Sequence, residues 1–404
     1  MIQIAVLGHG VVGSGVVQVL QQNTAHIAHK AGENIEVKRI LDLRSFPDLP
    51  YADRFTTSFD DIVNDADIRI VVETMGGLHP AYDYVKAALE NGKSVVTSNK
   101  ELVAAKGDEL LAIAKSRNLN FLFEASVGGG IPILRPLDQC LSANNVYEIA
   151  GILNGTTNFM LTRMVEDHME FDEALSLAQS LGYAERDPSA DVDGHDACRK
   201  ICILASLAFG KHVYPDQVHT EGIRNLTLAD VAYAAAYGSV IKLIGRVAVE
   251  GDKLHCLVAP MLVPKTCLLS EVTDVFNAVM VRGDAVGDTV FYGRGAGKLP
   301  TASAVVADVI DEVKHFKARK YLYWEQGAPD YVLPTAQYTC RSLLRLKASD
   351  GLLDRLGNVR VVTYPDAPAD ELAVVTEPMT EEETETLLRE SGATLINRIR
   401  IAEL

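Results

Sequence analysis

Residues 2–15 read IQIAVLGHGVVGSG, and this stretch decides the fold of the first part of the chain. The continuous apolar run Ile2–Leu7 predicts a strand that is buried on both faces of a parallel sheet. Behind it, Gly8, Gly10 and Gly13 stand in the G-x-G-x-x-G spacing, and an apolar segment at helical spacing follows. Gly8 permits a tight turn, Gly10 lets the backbone approach a pyrophosphate, and Gly13 permits close packing of helix on strand. The stretch therefore predicts a dinucleotide-binding site.

The N-terminus of the following helix, in which Val16 to Leu20 stand at helical spacing, supplies free N–H groups and positive potential for the phosphates. Val11 and Val12, within the glycine turn, are predicted cofactor contacts. The second predicted strand ends at Asp42, and an acidic residue there normally bonds the adenosine ribose, which favours NAD. Arg44 follows two positions later and is placed to meet a 2'-phosphate, with Arg39 as a weaker candidate for that role. The sequence therefore predicts a nicotinamide dinucleotide and leaves the preference between NAD and NADP open.

Strands and helices continue to alternate up to residue 124. This alternation is typical of a doubly wound parallel sheet, the Rossmann type of α/β fold. Ligands bind beyond the carboxyl ends of such strands, which is where Thr74 and Lys100 stand. Lys100 is therefore expected near the nicotinamide, and the alternative is a solvent-facing lysine at the start of a helix. The predicted strands are 67–73, 94–97 and 120–124, and the predicted helices are 79–90 and 101–116.

The chain divides into three predicted domains. Residues 1–130 form the dinucleotide-binding domain, to which residues 293–320 return. Residues 131–292 form an inserted α+β domain for the substrate, and residues 338–404 form a small C-terminal domain. In the inserted domain we predict a strand at 146–153, a polar turn at 154–158, helices at 161–165, 172–180 and 196–209, and strands at 240–249 and 254–263.

A glycine-rich turn stands between the inserted domain and the segment that returns. Gly295, within the turn 293–297, permits close approach of the backbone to a cofactor, and a flexible turn is the alternative reading. In the C-terminal domain the strands are predicted at 341–348, 359–364, 371–376 and 395–401, with a helix at 381–391.

An acidic segment at 182–200 is the centre of the predicted chemistry. Asp196 and Lys200 lie four positions apart at the start of an apolar helix, so they share one face. Glu185 and Asp191 lie on the preceding loop and are expected to converge on the same spot. The alternative is a solvated acidic loop that precedes an ordinary ion pair within one helix.

Composition excludes several classes of protein. The 404 residues carry a formal net charge of -16, which argues against sequence-independent nucleic-acid binding and weakly against anionic membranes. No apolar run reaches the length of a membrane span, and the first residues lack the features of a secretion signal. Six scattered cysteines without a CxxC pair predict neither a disulfide framework nor a thiolate metal site. We therefore expect a cytoplasmic protein.

At this point the sequence closely resembles homoserine dehydrogenase, from residue 1 to about residue 340. The resemblance is most specific at 124–133 (EASVGGGIPI), 151–159 (GILNGTTNF) and 182–200. It implies an enzyme that interconverts L-homoserine and L-aspartate 4-semialdehyde with NAD or NADP, NADP being slightly favoured, in threonine, methionine and isoleucine biosynthesis. It also implies a homodimer or homotetramer that assembles through the inserted domain.

The resemblance implies roles for individual residues. Lys200 matches the catalytic lysine of the family, Asp196 its carboxylate partner, and Lys100 the lysine after the nicotinamide-side strand. Glu185 and Asp191 match substrate contacts, and the turn that contains Gly155 and Thr156 is a candidate for the substrate carboxylate. The resemblance further implies a cation, commonly sodium, held by oxygens of the loop that here is Glu124, Val127, Gly129 and Ile131.

Two departures from the family pattern carry expectations of their own. His9 stands where the family usually has an aromatic or aliphatic residue, and we expect little change from it. The C-terminal domain is similar to a small regulatory, ACT-like domain of βαββαβ order, but its first helix is cut short at 350–358, which argues against feedback control by threonine. Two rival functions remain open: a different nicotinamide oxidoreductase, and a nucleotide-sensing regulator without turnover.

Overall fold

The N-terminal part of the computed structural model, which describes residues 1–316, 318 and 322–404, is a six-stranded parallel sheet. Its strand order is β3-β2-β1-β4-β5-β6, the order of a doubly wound dinucleotide-binding fold, as the sequence predicts. The strands are β1 (Ile2–Leu7), β2 (Ile35–Leu41), β3 (Phe55–Thr56), β4 (Ile68–Glu73), β5 (Ser94–Thr97) and β6 (Phe121–Leu122). The helices are α1 (Val11–Gln22), α2 (Thr24–Ala31), α3 (Asp60–Val63), α4 (Ala81–Glu90) and α5 (Lys100–Ser116).

The second half of the chain builds a ten-stranded mixed sheet. Its first strands are β7 (Val146–Ile152), β8 (His219–Thr220), β9 (Ser239–Glu250), β10 (Lys253–Pro264), β11 (Phe276–Gly283) and β12 (Gly287–Arg294). The helices of this region are α6 (Gly155–Glu166), α7 (Phe171–Ser180), α8 (Ser189–Val192), α9 (His195–Phe209) and α10 (Leu228–Ala236). Helix α9 packs on β7, β9 and β10 and also against α5, so it joins the two sheets.

Several local predictions need correction. The residues expected as a polar turn at 154–158 are instead the cap and first turn of α6, because the Asn154 side chain accepts the N–H of Thr157 and starts the helix there. The strand expected at 120–124 is only β6, since Glu124–Ser126 turn into a 3-10 helix. The antiparallel hairpin of β11 and β12 and the helix α10 were not predicted.

After β12 the chain returns to the first sheet as α11 (Lys298–Lys314), which packs along α1. Gly15 permits this contact, because a Cβ at that position would lie 2.9 Å from the carbonyl oxygen of Lys298 and 3.0 Å from the Ala302 Cβ. The glycine-rich turn at 293–297 directly precedes α11, so it lies where the chain passes from the second sheet back to the first.

The C-terminal residues extend the second sheet. They form β13 (Thr339–Cys340), β14 (Ser342–Lys347), α12 (Leu352–Leu356), β15 (Val359–Val362), β16 (Glu371–Thr376), β17 (Met379–Thr380), α13 (Glu381–Ser391) and β18 (Leu395–Ile401). Strand β18 pairs in parallel with β10, with Arg400 opposite Met261 and Ile401 opposite Leu262. Among the described helices of the whole chain, none has the length and apolar character needed to cross a membrane.

Candidate active site

Helix α9 carries two buried ionisable side chains. It starts after Gly194, whose φ of +83° lies in the left-handed region that favours glycine. Asp196 is 4% exposed and Lys200 is 7% exposed, although charged residues are rarely buried without a partner. Ala197 and Ile201, on the same helix, are fully buried in the core, and this packing fixes the orientation of both charged residues. The predicted pair is therefore an interior feature and not a solvated helix face.

The carboxylate of Asp196 joins two lysines. Its Oδ2 accepts from the Nζ of Lys200 at 2.7 Å, and its Oδ1 lies 2.6 Å from the Nζ of Lys100. Lys200 also donates to the carbonyl of Leu153 at 2.7 Å. Lys100 is the first residue of α5, which Asn99 caps by accepting the N–H of Leu102. The structure thus brings together the three residues predicted to act in catalysis.

Asn154 connects this group to a second carboxylate. Its Nδ2 donates to Asp191 Oδ1 at 2.7 Å and to Asp196 Oδ2 at 2.9 Å. Its Oδ1 accepts the Thr157 N–H at 2.8 Å, so the same side chain caps α6. Sequence reasoning placed Asn154 only in a turn and missed this role, because the contacts span 37 and 42 positions of the chain and leave no local pattern.

The charges shift one another's pKa values. Burial lowers the pKa of Lys200, the negative charge of Asp196 opposes that shift, and the positive charge of Lys100 reinforces it. The pKa of Lys100 is raised, chiefly by Asp196. Burial alone would raise the pKa of Asp196, but the two lysines hold it below its ordinary value. For Asp191, burial and the neighbouring Asp196 charge both raise the pKa. Lys200 is therefore the cation of this cluster that releases a proton most readily.

This cluster, made of Lys100, Asn154, Asp191, Asp196 and Lys200, lies at the carboxyl edge of the first sheet. Lys100 begins α5 shortly after β5 ends, so its side chain stands at the end of that parallel strand. Ligands of doubly wound sheets bind in the crevice outside these strand ends. The cluster is thus positioned to contact a molecule bound between the two halves of the chain.

Not every predicted substrate contact joins the cluster. Glu185 is exposed, and in the described part of the chain its carboxylate makes no hydrogen bond or ion pair. Only its backbone carbonyl is used, as an acceptor for Gln179 Nε2 at 3.0 Å. Gly155 and Thr156 form the first turn of α6, and the Thr156 hydroxyl donates to the Tyr183 carbonyl at 2.7 Å. The expected convergence with Asp191 is therefore absent for the Glu185 side chain in this conformation.

The glycine turn after β1 is tightly closed. Gly8 has a φ of +91°, and a Cβ on Gly13 would lie 1.9 Å from the Gly8 carbonyl oxygen. Thr74, at the end of β4, donates its hydroxyl to the carbonyls of Leu7 and Gly8 at 3.0 and 3.1 Å. Around Gly10, in contrast, a Cβ would find no atom of the described structure within 4 Å. The first turn of α1, with Val11 and Val12, therefore opens onto free space suited to a phosphate.

The two residues expected to determine the preference between NAD and NADP, Asp42 and Arg44, are paired with each other. Asp42 accepts from Arg44 Nε at 3.0 Å and from Arg44 NH2 at 2.9 Å, and its Oδ2 also accepts the His9 N–H at 2.8 Å. These bonds, with Arg44 foremost, lower the pKa of Asp42. The Arg44 guanidinium lies 5.2 Å above the Phe46 ring. Arg39, the weaker candidate, is turned toward the Asp53 carbonyl at 3.4 Å.

The loop expected to hold a cation offers backbone carbonyl oxygens as ligands. Both Glu124 carboxylate oxygens already accept N–H groups, Oε1 from Ile133 at 2.7 Å and Oε2 from Arg135 at 2.7 Å. Gly128 and Gly129 have φ angles of +71° and +56°, and this turn brings Gly129 against Gly295. The described residues contain no group of three or more His, Cys, Asp or Glu suited to a metal. A cation at this loop would therefore have backbone carbonyl oxygens, which are hard ligands, as its protein ligands.

Comparison with known proteins identifies relatives along most of the chain. The family model described as "Homoserine dehydrogenase, NAD binding domain" matches residues 8–124, and the model described as "Homoserine dehydrogenase" matches residues 132–310. A homoserine dehydrogenase from Synechocystis is 48% identical over 320 residues, which cover 77% of this chain and 73% of that protein.

Solved structures of homoserine dehydrogenases are also similar to this chain. A homoserine dehydrogenase from Thiobacillus denitrificans superposes with a TM-score of 0.91 at 36% identity and covers 99% of this chain and 98% of its own. A hyperthermophilic archaeal homoserine dehydrogenase in complex with NADPH has a TM-score of 0.65 at 29% identity, with 77% of this chain and 97% of that chain covered.

Proposed function

The chain belongs to the homoserine dehydrogenase family, and on that premise we propose that Lys200 is the general acid and base with which it interconverts L-homoserine and L-aspartate 4-semialdehyde. Family membership makes it an NAD(P)-dependent oxidoreductase of homoserine. The assignment of the lysine rests on one observation: a buried amine, bonded to Asp196 and to a backbone carbonyl, stands beside a second lysine at the carboxyl edge of the sheet.

A bound nicotinamide would supply or accept the hydride at the substrate carbon. In reduction the carbonyl oxygen gathers negative charge, and the Lys200 ammonium donates a proton to it. In oxidation the neutral Lys200 amine takes that proton from the hydroxyl group. A group whose pKa lies near the working pH serves both directions, and burial together with the Lys100 charge lowers the Lys200 pKa toward that range.

Asp196 orients the amine. Its two oxygens hold the two lysine Nζ atoms, so both cations keep a fixed position at the site of reaction. Lys100, which is partly exposed, follows the end of β5, where it would stand beside a bound nicotinamide and stabilise the oxygen on which charge develops. The separate roles follow from the two pKa shifts: burial lowers the pKa of Lys200, whereas the charge of Asp196 raises the pKa of Lys100.

The acidic residues recognise the substrate ammonium. Asp191 has one oxygen bonded to Asn154, and it accepts the ammonium in a charge-assisted hydrogen bond. Glu185 serves as a second acceptor after its exposed side chain turns toward the site. Gly155 and Thr156, at the N-terminus of α6, present backbone N–H groups and positive potential to the substrate carboxylate.

The glycine turn would hold the dinucleotide. NADP is slightly favoured over NAD. Arg44, which is exposed and bonds Asp42, would exchange that carboxylate for a 2'-phosphate, and the archaeal relative at 29% identity is described in complex with NADPH. The residues proposed to contact the cofactor are Gly8, Gly10, Val11, Val12, Gly13, Arg44, Thr74, Lys100 and Gly295.

A sodium ion in the carbonyl loop, held by Glu124, Val127, Gly129 and Ile131, would fix the loop against the Gly295 turn. We further propose a homodimer or homotetramer that assembles through the inserted domain, and a cytoplasmic enzyme of threonine, methionine and isoleucine biosynthesis. The six cysteines are all free, which supports a reducing compartment.

The test follows the absorbance of the reduced nicotinamide with homoserine and either NAD or NADP. Its matched control is 4-hydroxybutyrate, which has the same chain and hydroxyl group but lacks the ammonium that Asp191 and Glu185 would bind. Turnover of homoserine and not of 4-hydroxybutyrate supports the proposal. Equal rates with both would favour a different nicotinamide oxidoreductase, and nucleotide binding without turnover would favour a sensing protein.

A further inference from the structure

A buried arginine of the last strand ties the C-terminal residues to the substrate half of the molecule. Arg400, in β18, is 1% exposed. It donates to both oxygens of Glu221, at 2.7 and 2.8 Å, and to Glu381 at 2.6 Å. Glu381 is the first residue of α13, whereas Glu221 lies between β8 and α10. We call Glu221, Glu381 and Arg400 the Arg400 bridge.

The residues that follow Glu221 are packed against the acidic loop. The Ile223 N–H donates to the Val192 carbonyl at 2.8 Å. A Cβ on Gly222 would lie 2.1 Å from that same carbonyl oxygen, so only glycine permits the approach. Arg224 donates to both oxygens of Asp193, at 3.0 Å from NH2 to Oδ2. Residues 221–224 therefore hold α8 and the turn after it.

That loop carries the proposed substrate contact and starts the catalytic helix. Asp191 lies in α8, and Gly194 ends the loop directly before α9. A Cβ on Gly194 would lie 3.0 Å from Thr220 Cγ2 and 3.2 Å from the Glu221 carbonyl oxygen. The position of Asp191, and of the start of α9 with Asp196, therefore depends on where residues 220–224 stand.

We propose that Arg400 is a positioning residue for the substrate: through Glu221 it fixes the loop that carries Asp191. The inference rests on the proposed function, because it takes Asp191 as the acceptor of the substrate ammonium. A guanidinium that bonds two carboxylates in a planar fork sets both distance and direction. Loss of the fork removes two of the three side-chain hydrogen bonds that Glu221 makes in the described part of the chain and leaves the one to His219 Nε2 at 2.6 Å. We expect the weakened hold to let residues 221–224 and the loop shift together, while the glycine turn proposed to bind the dinucleotide is untouched.

A second buried arginine of the C-terminal residues provides a matched control. Arg345, in β14, donates to Asp230 Oδ1 at 2.7 Å and to Glu371 Oε2 at 3.0 Å. It thus has the same chemistry and the same bridging arrangement as Arg400. Its partner Asp230 lies in the first turn of α10, and its hydrogen bonds do not reach the acidic loop. If replacement of an arginine acted only by loosening the C-terminal residues, replacement of Arg345 and of Arg400 would have the same effect.

The experiment compares Arg400→Gln, Glu221→Gln and Arg345→Gln with the wild-type enzyme in steady-state kinetics, each below its own melting temperature. For Arg400→Gln we expect a KM for homoserine raised roughly tenfold, a kcat lowered less than about threefold, and a KM for the dinucleotide within about twofold. Glu221→Gln, which changes a half-buried side chain, should show the same pattern more weakly. Arg345→Gln should lower the melting temperature and leave the homoserine KM unchanged.

An unchanged homoserine KM in folded Arg400→Gln would overturn the inference, and so would an equal rise in Arg345→Gln. If Arg400→Gln does not fold, Glu221→Gln decides by the same criterion. Wild-type enzyme that does not turn over homoserine would instead refute the proposed function, and the inference with it. Active wild type with an unaffected Arg400→Gln variant would refute the inference alone.

Discussion

Replacement of Asp196 by Asn tests the electrostatics of the site. The amide keeps the size of the carboxylate but removes the negative charge between two lysine Nζ atoms, at 2.6 Å from Lys100 and 2.7 Å from Lys200. Asp196 is the main group that raises the pKa of Lys200 against its burial. Its removal leaves burial and the Lys100 charge, which both lower the Lys200 pKa, opposed by the smaller effect of the Asp191 charge.

The size of the shift follows from the separation of the two charges, which is longer than the 2.7 Å from Lys200 Nζ to Asp196 Oδ2 because both carboxylate oxygens share the charge. At an effective dielectric constant near 20, two unit charges about 4 Å apart attract with about 4 kcal/mol. One pKa unit corresponds to about 1.4 kcal/mol, and the amide dipole replaces part of the lost attraction. We expect the Lys200 pKa to fall by about one to three units. Without Asp196 the Lys200 ammonium is buried and unpaired, which lowers the free energy of unfolding. Lys200 can instead lose its proton on folding, and from an ordinary pKa near 10.4 this costs about 2 kcal/mol at about pH 9. That value is the upper limit of the stability lost through this cation.

The assay is the pH profile of homoserine oxidation with saturating dinucleotide. The neutral Lys200 amine is the base in this direction, so the rate rises as pH increases through its pKa. In Asp196→Asn this rise should occur about one to three pH units lower than in the wild type, with a reduced maximal rate because Lys200 is less well oriented. A rise at the same pH, or at a higher one, would refute the assignment of Lys200 as the base that Asp196 controls.

Three further variants examine the cofactor site and the carbonyl loop. Arg44→Ala should raise the KM for NADP about tenfold and leave that for NAD unchanged or lower, since Asp42 is released for the ribose; an equal effect on both would count against this role. Gly13→Ala places a Cβ 1.9 Å from the Gly8 carbonyl oxygen, so the Kd for both dinucleotides, measured by fluorescence titration, should rise at least about tenfold. Glu124→Gln weakens charge-assisted bonds to backbone N–H groups and should lower the free energy of unfolding in urea by about 1.5–3 kcal/mol; an unchanged value would contradict the account.

The parts of the fold that the sequence predicts are those with local patterns. The glycine spacing at residues 8–13 and the alternation of apolar runs with helical segments led directly to the parallel sheet. The pairing of Asp196 with Lys200 was predictable because both stand on one helix, four positions apart. These features depend on neighbours in the chain, and a single sequence contains that information.

The parts that were missed depend on contacts between distant residues. Asn154 bonds Asp196 across 42 positions, and Arg400 bonds Glu221 across 179, so neither pairing leaves a local pattern. The edge hairpin of β11 and β12 was missed, and no residue of its second strand is fully buried.

His9 shows the same limit. The expectation of little change at this position did not anticipate that its ring packs edge-on against Phe46, Tyr51 and Phe55, with centroids 5.0, 5.8 and 5.1 Å away. The aromatic residues lie about forty positions further along the chain than His9, beyond any local pattern.

The central claim is tested most directly by kcat in Lys200→Ala, with Lys242→Ala as the control. Lys242 is another buried lysine of the same half of the chain, bonded to Asn158 Oδ1 at 3.2 Å and outside the catalytic cluster. Lys200→Ala should lower kcat by about 10²–10⁴-fold, the usual contribution of a general acid–base group, while the dinucleotide Kd stays within about twofold and Lys242→Ala keeps a near-normal kcat. A Lys200→Ala enzyme that retains more than about a tenth of the wild-type kcat would contradict the account.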